Sequence, residues 1–305
     1  MHNLFRIGCG MAALVCTGAL EAADVSGQLS KVSFIPSANA AIAPLGATHA
    51  PASVLAGEAL VFSAPPRESA AEAQQLYQPV AAYLTHVLGR PVAYVHPRSE
   101  LSYQKDMAKG AYDIVFDGAH FTSWRIARLN HNVLAKLPEP QVFAVVTRRD
   151  DAHLTNAKQL AGKKVCAAGA TDLSTLALLS EFDALRQPLV IEHVGWNKIF
   201  DAVVEGRCAA GTLPLTVLQK LDGAGVLTRV LHQSRPLPNQ AFSAGPRLSA
   251  DEQLALSKAL TSEPARQALT ALLAAHGAEV GLALVAKDEY AGMDRYLKNV
   301  WGYGR

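Results

Sequence analysis

The chain carries almost no net charge for its length: 28 Lys and Arg against 26 Asp and Glu leave a formal +2 over 305 residues. So small a balance gives no argument for nucleic acid or for a polyanionic surface partner. Catalytic signatures are missing too. There is no HExxH pair, no GxSxG elbow, no phosphate-binding Walker loop and no GxGxxG dinucleotide fingerprint. Gly162-Lys163-Lys164 lacks both the upstream glycine and the following Ser or Thr of a phosphate loop. His86, His96, His120 and His193 match no metal template in their spacing, so neither metal nor cofactor is expected. Cysteine is scarce, at four residues. Only one apolar run has any length, from Ile7 to Leu20, and it falls short of the roughly 20 residues a membrane span needs.

That run has a different meaning. Arg6 precedes it and the small residues Ala22-Ala23 before Asp24 follow it, the three parts of a secretory signal over residues 1–23. The alternative is an uncleaved N-terminal anchor. Lipidation at Cys16 is disfavoured by bulky Val15 before it, and Cys9 lies too close to Arg6. Beyond the signal only Cys166 and Cys208 remain. A composition of 50% hydrophobic and 18% charged residues suits one large or two modest soluble domains with a real core.

Residues 24–57 are dominated by Ala, Ser, Pro and Gly and keep neither helical nor strand periodicity, so they read as a flexible lead-in. Order begins with an apolar strand at 59–63, stopped by Pro65-Pro66. A helix follows over 69–89, with apolar residues at Ala73, Leu76, Tyr77, Val80 and Leu84 and a stop at Gly89. A strand at 91–95, a helix at 99–109 and a strand at 112–116 complete a β-α-β-α-β unit. The rhythm restarts after Asp150: strand 164–168, helix 173–185 capped by Asp172 or Thr171, strand 189–194, helix 196–205, strand 208–213. Such alternation predicts parallel sheets covered by helices. Between the units lies a long strand at 141–148; after the second, 227–233 and 236–242 run extended. The tail reads as helices at 250–260, 263–276 and 289–300. Two extended crossings are what a hinged pair of lobes requires.

Four stretches in this order resemble the phosphonate-transporter substrate-binding family, within the type 2 periplasmic binding proteins. They are Phe62-Ser63-Ala64-Pro65-Pro66 with Gly89-Arg90-Pro91-Val92, the run from Tyr112-Asp113-Ile114 to His120-Phe121, Leu160-Ala161-Gly162-Lys163-Lys164-Val165, and 200–206 leading into Cys208-Ala209-Ala210-Gly211. The resemblance implies an α/β fold of two lobes, each a mostly parallel sheet flanked by helices, with lobe 1 over 58–145 plus 238–305 and lobe 2 over 146–237. It also implies a non-enzymatic periplasmic monomer that captures a small oxyanion and delivers it to an ABC permease. The alternatives are a sensor subunit for a membrane histidine kinase or chemoreceptor, and a binder of an amine- or carboxylate-bearing ligand.

Ligands of parallel α/β sheets sit beyond the carboxyl ends of strands, on helix N-termini. This selects the loops 63–67, 117–121, 169–175 and 211–215, with Ser63, Pro65, Arg67, Asp117, His120, Thr171, Asp172, Ser174, Thr175 and Thr212 as candidate contacts. The resemblance puts 169–175 at the family's oxyanion-binding turn and adds Asn197 at the start of the 196–205 helix. Asp172 departs from the Ser/Thr-rich turn of the phosphonate binders, and a carboxylate there repels a dianion unless it turns away to cap the helix. Asp117 suits an amine, a hydroxyl or a protonated oxyacid. Arg67 and Arg125 are the nearby cations for a bidentate clamp; Tyr103, Trp124 and Trp196 serve equally as pocket walls or as core. Cys166 and Cys208 head two strands that this topology sets side by side. They either pair or stay buried as free thiols, a thiolate metal site being the third alternative.

Overall fold

The computed structural model describes residues 59–278, 280–286 and 288–303. The expected signal at 1–23 and the lead-in at 24–57 lie outside them. The described chain forms two five-stranded sheets, each flanked by helices. The first contains β1 (Leu60–Ser63), β2 (Val92–Tyr94), β3 (Ile114–Asp117) and β4 (Asn132–Lys136), with α1 (Ala70–Leu88), α2 (Glu100–Ala108) and α3 (Ala119–Leu129) between them. The chain then crosses to build the second from β5 (Phe143–Arg148), β6 (Lys164–Ala167), β7 (Leu189–Glu192), β8 (Ala210–Pro214) and β9 (Thr228–Gln233). Its helices are α4 (Leu173–Leu179), α5 (Trp196–Val204) and α6 (Leu215–Asp222). A return crossing leads to β10 (Ala241–Ala244), α7 (Ala250–Leu260), α8 (Glu263–Ala268) and α9 (Thr270–Ala275).

The sheet orders are β2-β1-β3-β10-β4 and β7-β6-β8-β5-β9. In each, only the strand that arrives from a crossing runs against its neighbours, β10 in the first and β5 in the second. The reason is geometric. β4 and β9 both leave their sheets at the carboxyl end, so the next strand enters the other sheet at that same end and must run backwards. The two crossings touch through Gln141 and Leu237, which exchange both backbone hydrogen bonds, at 2.8 and 2.9 Å. β5 lies wholly in the second sheet, so the first crossing runs over 137–142 and ends upstream of the expected limit at 145.

Several expected elements end early, each for a visible cause. The helix expected over 173–185 stops at Leu179 because Ser180 Oγ bonds back to the Ala177 carbonyl at 2.7 Å and the following N–H groups tighten into turns. The strand expected from 236 begins only at Ala241, since Pro236 and Pro238 have no N–H to give a ladder. The helix expected over 263–276 divides at Leu269, where the Thr270 hydroxyl bonds the carbonyls of Arg266 and Gln267. The helix expected over 289–300 is a single 3-10 turn, Met293–Leu297, after Gly292 in the left-handed region. Among the described residues, four elements had no counterpart in the sequence reading: α3, β4, α6 and a 3-10 turn at Ala157–Leu160.

One core fills the space between the first sheet and α1, α7 and α9, built on Phe62, Tyr77, Tyr94, Phe116 and Phe242. Another joins the sheets themselves, where Phe143, Leu173 and Ala177 of the second pack with Ala119, Ala241 and Tyr290 of the first.

Candidate ligand-binding cleft

The carboxyl ends of both sheets, the starts of α3 to α6 and the two crossings enclose a cavity of about 750 Å³. A shallower depression at the far end of the second sheet, lined by Arg148, Lys163, Lys164 and Arg207, is open to solvent.

The loops expected at the cleft do meet there, and their side chains largely bind one another. Arg67 Nη1 donates to Gln240 Oε1 at 2.9 Å, and Arg67 Nε stands 3.5 Å from Asp172 Oδ2 across the cleft. Asp172 caps α4, its Oδ1 accepting from the Ser174 N–H at 2.8 Å and the Ser174 hydroxyl at 2.7 Å. The Thr171 hydroxyl donates to Glu100 Oε2 at 2.9 Å. His120, fully buried, bonds the Thr171 carbonyl through Nε2 at 2.9 Å. Burial pushes its pKa down to about 4 against the pull of that carbonyl, so the ring is neutral near pH 7. A carbonyl can only accept, so Nε2 carries the proton and Nδ1 is a bare acceptor with no partner. Gly118 makes room for this ring: a Cβ there would lie 2.9 Å from His120 Cε1.

Other expected contacts belong to the scaffold. Asp117 is fully buried and accepts from Tyr103 Oη at 2.7 Å, Thr122 Oγ1 at 2.9 Å and Arg125 Nε at 3.0 Å. Arg125 is equally buried, donates to Tyr103 Oη at 2.7 Å and lies over the Tyr103 and Tyr112 rings. Neither reaches the cleft, because each is held by the other. The hydroxyls of Ser63 and Thr175 donate to the carbonyls of Val95 and Ala168. Thr212 is buried in β8 and Asn197 is exposed, and neither lines the cleft. Pro65 and Trp196 do line it; Trp124 packs into the core against Tyr303. Cys166 and Cys208 are joined as a disulfide, with Cα atoms 5.7 Å apart. Their sulfurs and a ring nitrogen of His193 lie within 4.8 Å of one another, but the bond between the sulfurs takes up the thiolates a metal would need.

Comparison with known proteins bears on this arrangement. The profile of the family described as ABC transporter, phosphonate, periplasmic substrate-binding protein matches residues 62–290. The chain belongs to this family. Among solved structures, PhnD1 from Prochlorococcus marinus in complex with methylphosphonate shares the fold with a TM-score of 0.64 at 12% identity, over 79% of this chain and 98% of that one. XAC2383 from Xanthomonas citri, bound to ATP, gives 0.64 at 15% identity over 80% and 100%. A binding protein component of an ABC phosphonate transporter from Pseudomonas aeruginosa gives 0.58 at 12% identity over 76% and 83%. No curated protein sequence matches.

The cleft of this chain is rich in carboxylates. Among the described residues, five carboxylates line it (Glu68, Glu100, Glu139, Asp172 and Glu192) against two permanent cations, Arg67 and Lys220. Burial raises the pKa of Glu68 and of Glu100; the Thr171 hydroxyl and Arg67 oppose the rise at Glu100, and Arg67 opposes it at Glu68. Sequence reasoning missed Glu68, Glu100, Glu192, Gln240 and His276. Gln240 had a usable signal, since it ends a crossing just before a strand. Glu100 and Glu192 had none: one opens a helix and the other closes a strand, as ordinary surface acids do.

Proposed function

We propose that the chain is the exported solute-binding component of an ABC transporter, closing its two lobes over a small solute and presenting the closed form to a permease. It catalyses no reaction. The observation that carries this reading is the cleft itself: about 750 Å³ at the carboxyl ends of two sheets, spanned by paired crossings and latched by Arg67–Asp172 and His120–Thr171. A solute touching both lobes favours the closed state by its differential affinity for that state. The oxyanion expected from the family resemblance has weaker support, because the donors of the 169–175 turn already hold the protein's own carboxylates.

The test is a thermal-shift screen of the purified chain against phosphonates, phosphite, phosphate, sulfonates, carboxylates and amines. A true ligand at 100 times its Kd stabilises by about 2.7 kcal/mol, and small-angle scattering should show compaction with it. A chain that answers no member of such a panel is not a solute-binding component.

A further inference from the structure

We infer that the cleft selects an organic cation bearing N–H donors, a primary ammonium or guanidinium on an apolar body, over a compact oxyanion; this rests on the solute-binding reading above. Three independent features of the cleft lead there.

The first is that the anion position is already filled by the protein. The Ala170 N–H donates to Glu192 Oε1 at 2.9 Å, the Ser174 N–H and hydroxyl to Asp172, and the Thr171 hydroxyl to Glu100. An oxyanion in that turn must displace three carboxylates or lie beside them. Arg67, the cation best placed to help, is committed to Asp172 and Gln240. Five carboxylates line the cleft against two permanent cations. Only Lys220 remains as a second cation.

The second is the direction of the hydrogen bonds. Arg67 can only donate, so Gln240 Oε1 is its acceptor and Gln240 Nε2 is a donor. That amide faces His276 Nδ1 at 3.4 Å, which must therefore accept, leaving the proton of this neutral ring on Nε2. His276 Nε2 thus offers one donor without a partner. Among the cleft-lining residues one acceptor also lacks a partner, Glu68 Oε2. What this acceptor lacks is N–H, which a primary ammonium or guanidinium supplies and a quaternary ammonium does not. A half-buried carboxylate such as Glu68, whose Oε2 is shielded from water, is stabilised in its charged form by a cation beside it.

The third is size and wall chemistry. A cavity of about 750 Å³ is in the range that encloses drug-sized ligands, far more than one phosphate group fills. Leu137, Val142, Phe143, Trp196, Leu215 and Val217 supply apolar wall, and an indole face attracts a cation.

The experiment is calorimetric titration of the purified chain with phenethylamine, agmatine, methylphosphonate and inorganic phosphate. The expected result is heat and a raised melting midpoint with at least one of the two amines and none with the anions. Glu68→Gln should weaken that binding by about 10- to 100-fold, while Asn197→Ala, outside the cleft, leaves it unchanged. Should Glu68→Gln fail to fold, the ligand can be altered instead: the hydroxyl analogues of the amines, lacking the charge, must lose binding to the unmodified chain. Binding of methylphosphonate or phosphate with silent amines overturns the cation assignment and leaves the solute-binding reading standing. Equal binding of amine and alcohol overturns it as well. Silence towards all four probes overturns the cation assignment, and the broader screen then decides whether the chain binds solutes at all.

Discussion

Asp117 and Arg125 form an ion pair that water does not reach, both side chains being fully buried at an Nε–Oδ2 distance of 3.0 Å. A buried pair of this kind is costly to assemble and costlier to halve, since removing one partner strands the other charge. Asp117→Asn should therefore lower unfolding free energy by about 3–5 kcal/mol, measured by urea denaturation, and adding Arg125→Met should recover part of the loss. A change under 1 kcal/mol would mean that the pair is not buried as described. His120 supplies a second prediction. Its folded pKa of about 4 lies below its ordinary 6.5, so the unfolded chain takes up a proton first as pH falls. The neutral ring's contribution is fully present above pH 6.5, declines below it and levels off below pH 4, a loss of up to about 3 kcal/mol. His120→Gln should make the loss in that window smaller without abolishing it, since burial also pushes His131 and His276 down to about 4. Glu68 and Glu100, whose pKa values are raised, act in the opposite sense, so the difference between variant and parent isolates the histidine.

At the level of elements, the Cys166–Cys208 bridge ties the middle of β6 to the segment just before β8, across a separation of 42 residues. Closing a loop of that length should stabilise the fold by about 4 kcal/mol in the chain-entropy account. Replacing both cysteines with alanine, or reducing the bond, should lower the melting midpoint; an unchanged midpoint with two titratable thiols would sink this account. The same elements show what the sequence could disclose. The strand-helix alternation was legible because β1, β3, β6 and β8 are short apolar runs between helices with clear caps, such as Ser69 and Gly89 around α1. α3 was not, because its first seven residues, from Ala119 to Arg125, are all buried. Four of those seven, His120, Thr122, Ser123 and Arg125, are polar, while apolar Ile126 is exposed, so the sequence pattern does not mark the buried face. The pocket loops were legible from topology alone. Which of their side chains point at a ligand was not, because Asp117 and Arg125 choose each other through contacts made across the fold.

At the scale of the whole molecule, the second sheet is an insertion within the first, bounded by crossings that lie side by side at Gln141 and Leu237. This gives the lobes a shared axis, and their apolar contact through Phe143, Leu173 and Tyr290 sets a closed geometry for a solute to stabilise. It also fixes an order of assembly. β10 lies between β3 and β4 in the finished sheet, yet it is the last strand of the described chain. A chain emerging amino-terminus first can complete the sheet with the disulfide once Gln233 is out. The sheet that began first waits, split between β3 and β4, until residues 241–244 arrive to close the gap. The earlier half is thus finished by the later one, and the inserted lobe can be oxidised and folded while its host is still open.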